Sequence, residues 1–195
     1  MPPKAKVTRD MILEAAFALV RQEGHSALNA RALARKLGCS TQPILYNFAT
    51  MEALWDAVYE KADAFHSAAI LPATGEGPDA LLLLGLNYVR FGQEEKHLFR
   101  FLFETNRFGG MGMESLIRLP GANEMVAVLA QGLGCPQEAA ERVFLTFFAV
   151  VHGLGSLLCN NAMAYDEAAC ARMLETVFYG AVASLEEEKE KKEDA

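Results

Sequence analysis

Apolar side chains along this chain recur at spacings of three and four residues almost throughout, and no stretch alternates with the period of two that a half-buried strand requires. Ile12, Ala16, Leu19 and Val20 form the first such stripe. Thr8 is a good N-cap before it, Asp10 suits the first turn and Gly24 supplies a stop, which predicts a helix from Thr8 to about Glu23. Asn29 caps a second, short helix. Its residues Ala30, Leu33, Ala34 and Leu37 face one side and Arg31, Arg35 and Lys36 the other, and Gly38 ends it. Only Gly38 and Cys39 separate it from Ser40, read as the cap of a third helix from Thr41 to about Phe48. Pro43 falls in that helix's first turn, where no intrahelical N–H bond is needed. Ile44 and Phe48 share one face of it, which leaves Thr41, Gln42 and Asn47 outside.

Thr50 caps a fourth helix that runs through Leu54, Trp55, Val58 and Phe65 to about Ile70, long enough to link the N-terminal head to the body behind it. The segment from Pro72 to Pro78 breaks it. Helical spacing resumes over Asp79 to Phe91, Glu94 to Asn106, Gly121 to Leu133, Pro136 to Asn160 and Asp166 to Leu185, with no internal repeat. The expected fold is all-α: a three-helix helix-turn-helix domain in residues 1–49 and a larger helical domain in 50–195. The charged run from Glu186 to Ala195 reads as a solvated helix end.

Charge sharpens the division. The net charge is −7, yet residues 1–50 hold seven basic side chains against three acidic ones, leaving +4 there and −11 in the remainder. Because attraction to phosphate is local and screened beyond about 10 Å, a basic head on an acidic body suits a polyanion partner. Chance clustering is the plain alternative. Cys39, Cys135, Cys159 and Cys170 are far apart, without metal-ligand spacing, and read as reduced structural thiols. Neither a metal nor another cofactor is expected. The basic start, Met1 to Lys6, leads into an amphipathic pattern, not a signal-peptide core. No apolar run is read as approaching the roughly 18 uncharged residues of a membrane span, since Ala80 to Leu86 stops at Asn87. A soluble, cytoplasmic protein with no membrane partner is expected.

Two short helices joined by a tight glycine turn, the second opening with small and amide side chains, have the layout of a helix-turn-helix. A recognition helix enters the major groove N-terminus first, so Thr41, Gln42 and Pro43 would meet base edges, and Ser40 just before them is a DNA-binding candidate as well. Gln42 can bond adenine N6 and N7, while the Thr41 methyl and the Pro43 ring suit a thymine methyl. Arg31, Arg35 and Lys36 are placed toward phosphates, the cap residue Asn29 is a further DNA-binding candidate, and Lys4 and Lys6 form an arm that could follow the backbone or minor groove. The same pattern also fits an ordinary three-helix packing unit with a solvated basic face.

The run from Ile12 to Phe48 resembles the TetR family of bacterial regulators. Leu33-Ala34, Gly38-Cys39-Ser40, Phe48 and Glu52-Ala53-Leu54 match its pattern in register, and Ser40-Thr41-Gln42-Pro43-Ile44 looks like one of its recurring recognition-helix variants. The resemblance covers about the first 55 residues. It implies a double-stranded DNA operator as partner, a homodimer, a small-molecule effector bound in the body, and repression as the usual mode of control. Two positions depart from the family. Leu45 stands where a phosphate-contacting tyrosine is common, with Tyr46 one step later, and Met51 stands where the fourth helix favours lysine. Tyr46, Asn47 and the Lys4–Lys6 arm are the candidates to compensate.

In the body, aromatics crowd the segment from Tyr88 to Phe108. They point to too many faces for one core stripe, and the run Gly109-Gly110-Met111-Gly112-Met113 follows them. Phe91, Phe99, Phe103, Phe108, Met111 and Met113 are therefore candidate walls of an apolar effector cavity, with core packing the alternative for any one of them. His152 would bond a ligand or a buried neighbour, whereas His25 and His97 are read as surface residues. The pairing of Tyr88-Val89-Arg90-Phe91 with Val151-His152-Gly153 resembles one C-terminal subgroup of the family. Pro136 to Asn160 is apolar almost all round, and Leu174, Val177, Phe178, Ala181 and Leu185 add a second stripe. With Val143, Phe147 and Val151 these are the candidate dimer interface, a four-helix bundle with a second copy.

No nucleophile elbow, HExxH, P-loop or carboxylate pair facing a histidine is present, so an enzyme is not expected. The competing reading is a helical dimeric protein-interaction module that has lost DNA binding.

Overall fold

The computed structural model describes residues 7–71, 77–105, 109–110, 112–118 and 121–193. Among the described residues there are helices and no strands. In chain order they are α1 (Arg9–Glu23), α2 (Ala30–Leu37), α3 (Gln42–Asn47), α4 (Met51–Ile70), α5 (Gly77–Glu94), α6 (Lys96–Phe103), α7 (Ala122–Leu133), α8 (Gln137–Asn160) and α9 (Glu167–Glu193). Short 3-10 turns at His25–Ala27 and Met113–Arg118, which periodicity does not reveal, join some of them.

The chain folds as two compact units. The first comprises Met1–Ala68 and Glu95–Arg107, and the second Ala69–Glu94 and Phe108–Ala195. The first unit thus takes in most of α4 and all of α6 in addition to the three N-terminal helices. The reason is burial. Leu54, Val58, Ala62 and His66, four residues apart along α4, are buried, as are Leu98, Phe99, Phe101 and Leu102 of α6. Phe101 is the hub, with its ring 5.4 Å from Trp55, 5.7 Å from Tyr59 and 6.1 Å from His25. The Tyr59 hydroxyl donates to the Leu102 carbonyl at 3.2 Å. His25 is therefore half-buried packing, not a surface residue, and His97 likewise lies half-buried against Gly24. Phe99 and Phe103 pack on each other at 5.0 Å, and Phe103 meets the edge of His66 at 5.2 Å.

Burial among these rings pushes the His66 imidazole from its ordinary 6.5 down to about 4. Between those values the unfolded chain binds a proton that the folded chain refuses. Stability is therefore fully present above pH 6.5 and falls as the pH drops toward 4, by up to about 1.4 kcal/mol per pH unit. Urea unfolding of the native chain and of His66→Phe at pH 7.5 and pH 5 checks this. The difference between the two should shift against the native chain at pH 5, and a constant difference would contradict a neutral buried imidazole.

In the second unit α5 crosses α8 at very close range. An added Cβ at Gly92 would lie 2.9 Å from the Gly155 carbonyl oxygen, and one at Gly85 would lie 2.7 Å from the Phe147 ring. α8 also packs on α9, where Phe147 meets Phe178 edge-on at 6.0 Å. Contrary to the expectation from Ala80–Leu86, α8 is long and apolar enough to cross a membrane by length and composition. Its uncharged run from Val143 to Asn160 passes unnoticed when apolar stretches are judged only up to their first polar residue, since Thr146, His152 and Ser156 punctuate it. Ala140, Val143, Phe144, Phe147, Val151, Gly155, Leu158 and Cys159 are nonetheless buried within the unit, which accounts for one side of that apolar surface as core.

Candidate nucleic-acid interface

The helices of the head are set by short-range capping. The Thr8 hydroxyl accepts from the Met11 N–H at 3.2 Å, and the Asn29 side-chain Oδ1 accepts from the Ala32 N–H at 2.9 Å. The α2–α3 turn closes as a Schellman motif: Gly38, at φ 62°, donates to the Arg35 carbonyl and Cys39 to the Ala34 carbonyl. A side chain other than glycine is strained at that φ, so Gly38 holds the turn tight. Ser40 does not cap α3 as expected. Thr41 is its N-cap, without a side-chain bond, and its carbonyl accepts from Ile44 and Leu45.

This turn sets α3 on the head through fully buried Ile44 and through Phe48, 3% exposed. The opposite arc is open. Gln42 is exposed, Leu45 is 51% and Tyr46 86% exposed, and Ser40 just before the helix is exposed as well. Thr41 and Pro43 are half-buried beside that arc. Arg31, Arg35 and Lys36 stand exposed on α2, and Lys36 reaches the Gln22 side chain at 3.3 Å. Arg9, in the first turn of α1, lies with its guanidinium 4.6 Å from the Phe48 ring centre, an exposed cation beside the end of α3. The helical stripe of α1 conceals it, because the position matters only once α1 and α3 are packed.

Two of the candidate readers are engaged within the head. Asn29 accepts from Ala32 and donates to the Ala27 carbonyl at 3.1 Å, so its amide serves α2. Asn47 donates back to the Pro43 carbonyl at 2.7 Å and is half-buried. Lys4 and Lys6 lie outside the described residues. Leu45, absent from the candidates, is the exposed apolar residue that the arc adds. Its only sequence signal is an apolar side chain off the Ile44–Phe48 face.

The candidate effector residues divide between the units. Phe99 and Phe103 belong to the first and pack there as above. Phe91, 4% exposed on α5, and His152, half-buried on α8, belong to the second. His152 Nδ1 lies 2.9 Å from the Tyr88 hydroxyl, and its ring stacks on Phe148 at 5.8 Å. Met113 is 59% exposed, and Phe108 and Met111 lie outside the described residues.

Of the candidate interface residues, Val143, Phe147, Val151, Leu174, Phe178 and Leu185 are buried inside their own unit, so they have almost no surface to offer a second copy. An amphipathic stripe cannot distinguish a protomer's own core from a partner's. Val177 and Ala181 are left half-exposed. Val177 lines an open apolar groove of about 390 Å³ between α8 and α9, together with Val150, Ala169, Arg172, Met173 and Thr176.

Residues 12–58 match the family model of bacterial regulatory proteins, tetR family. Over 78 residues the chain is 32% identical to the class D tetracycline repressor protein of Escherichia coli, and equally to the class H protein of Photobacterium damsela subsp. piscicida. Each match covers 40% of this chain and 36% of the relative, so the chain spans little more than a third of these curated relatives' length. The fold is similar over nearly its whole extent to a TetR-like transcriptional regulator from Rhodococcus sp. RHA1. There the TM-score is 0.64 at 16% identity, over 94% of this chain and 99% of that one. The head thus matches the tetR family of bacterial regulatory proteins in sequence, and the helical fold of the chain is similar to that of a TetR-like regulator.

Proposed function

We propose that the protein is a cytoplasmic, homodimeric transcriptional regulator that binds a double-stranded operator through α2 and α3 and is released from it by a small apolar effector. The observation that carries this reading is the open arc of α3 beside the exposed guanidinium groups of α2, on a head whose sequence matches the family model. Phosphates meet Arg31, Arg35, Lys36 and Arg9, while Gln42 faces base edges. The partner copy covers the α8–α9 groove around Val150, Met173 and Val177, which doubles the head and matches two half-sites.

Release requires an effector with different affinity for two arrangements of the dimer, and a typical coupling of about 1–3 kcal/mol changes operator affinity several-fold to a hundredfold or so. α4 is one lever in this scheme. Within the head, Arg21 of α1 pairs with Glu95, just before α6, through both carboxylate oxygens, one at 2.8 Å.

The reading is tested by binding assays on the region upstream of the protein's own gene. Gln42→Ala costs about 1–3 kcal/mol on the specific site and little on non-specific duplex, whereas Arg35→Ala weakens both alike. If Gln42→Ala leaves the specific-to-non-specific ratio unchanged, α3 is not the reading element.

A further inference from the structure

The most exposed apolar surface on the head lies on α3. At about 100° per residue, Leu45 and Tyr46 flank the line of Gln42 one turn further along the helix, Gln42 and Tyr46 opposite buried Ile44 and Leu45 at the side of that arc. Leu45 leaves about half of its apolar surface in water. What covers it must also accept the neighbouring cations of α2, where Arg31 and Arg35 are exposed. A polyanion with an apolar spot meets both demands. Along the major groove of duplex DNA, the apolar group that base edges present is the C5 methyl of thymine.

We infer that Leu45 is a specificity-determining residue that reads a thymine methyl. This rests on the proposed DNA-binding function and adds to it a base that the site must contain. The advance from Gln42 to Leu45 is about 4.5 Å along the helix, somewhat more than one base-pair step. An adenine bonded by Gln42 and a thymine covered by Leu45 therefore fall within a base pair or two of each other in each half-site. A hydroxyl or amide at position 45 would leave that methyl against a polar group, and a longer aromatic there would reach past it.

The test uses the full-length protein. A preferred duplex is selected from a random pool, and its affinity is compared with that of duplexes in which each thymine pair, one per half-site, is replaced by deoxyuridine. This substitution removes the methyl and leaves every hydrogen-bonding group. At one symmetric position the loss should be about fourfold per half-site, the value of one buried methyl-sized group, and small at the other thymines. Leu45→Ala, checked to retain the native circular dichroism, should bind the thymine duplex more weakly by a similar factor and be indifferent to deoxyuridine at that position. The inference is overturned if deoxyuridine is tolerated everywhere by the native chain, or if Leu45→Ala keeps the full sensitivity. A pool from which no sequence is enriched, with no salt-dependent binding to any duplex, overturns the DNA-binding reading itself and this inference with it.

Discussion

Phe101→Ala is expected to cost the first unit about 3–5 kcal/mol, the usual toll of emptying a fully buried aromatic site. The side chain is completely inaccessible and touches His25, Trp55 and Tyr59, which come from the turn after α1 and from α4. Those partners are rings fixed by their own helices, so the site can collapse only partly. A stability of about 5–15 kcal/mol is ordinary for a domain, and a loss of this size removes a large share of it. The consequence is that a residue 53 positions beyond Phe48 holds α4 and the turn after α1 together. Thermal unfolding followed by circular dichroism should give an early transition for the head in the variant. An unchanged melting profile would mean that α6 is dispensable to the first unit.

Val177→Asp is expected to dissociate the proposed dimer while leaving the protomer folded. Val177 is half-exposed and lines the α8–α9 groove, so a carboxylate there stays hydrated in the monomer. In a dimer it would be an unpaired charge inside an apolar contact, at a cost of several kcal/mol. Phe178, fully buried one residue away, is the control, because Phe178→Asp should unfold the second unit instead. Losing the partner removes the avidity of two half-sites, so operator affinity should drop on the order of a hundredfold. Sedimentation of Val177→Asp as a stable dimer would place the interface elsewhere.

The helices were legible in the sequence because their ends carry local chemistry. Thr8, Asn29 and Thr50 cap where their side chains suggest, and Gly24 and Gly38 stop α1 and α2 with positive φ. What could not be read depends on packing between distant segments. The membership of α6 in the first unit rests on where Phe99 and Phe101 point, and nothing in residues 95–103 alone carries that. His25 looks like a turn residue until Trp55 and Phe101 close over it. The stripe Val143, Phe147 and Val151 was legible as apolar but not as inward-facing, since the same spacing serves a protomer's core and a subunit contact. On α3, the exposed side chain of Gln42 was readable from the Ile44–Phe48 face, whereas Thr41 and Asn47, read as outside, are half-buried. The turning back of Asn47 onto Pro43 depends on the last turn of a six-residue helix, where a free carbonyl competes with any partner outside.

Hydroxyl-radical footprinting of the full-length protein on its selected duplex tests most directly that two copies present α3 to successive major grooves. The account predicts two protected patches on one face of the duplex, with centres about 34–36 Å apart, both fading as salt is raised because Arg31 and Arg35 displace counterions. Protection that is absent, or uniform along the duplex and indifferent to Gln42→Ala, would contradict it.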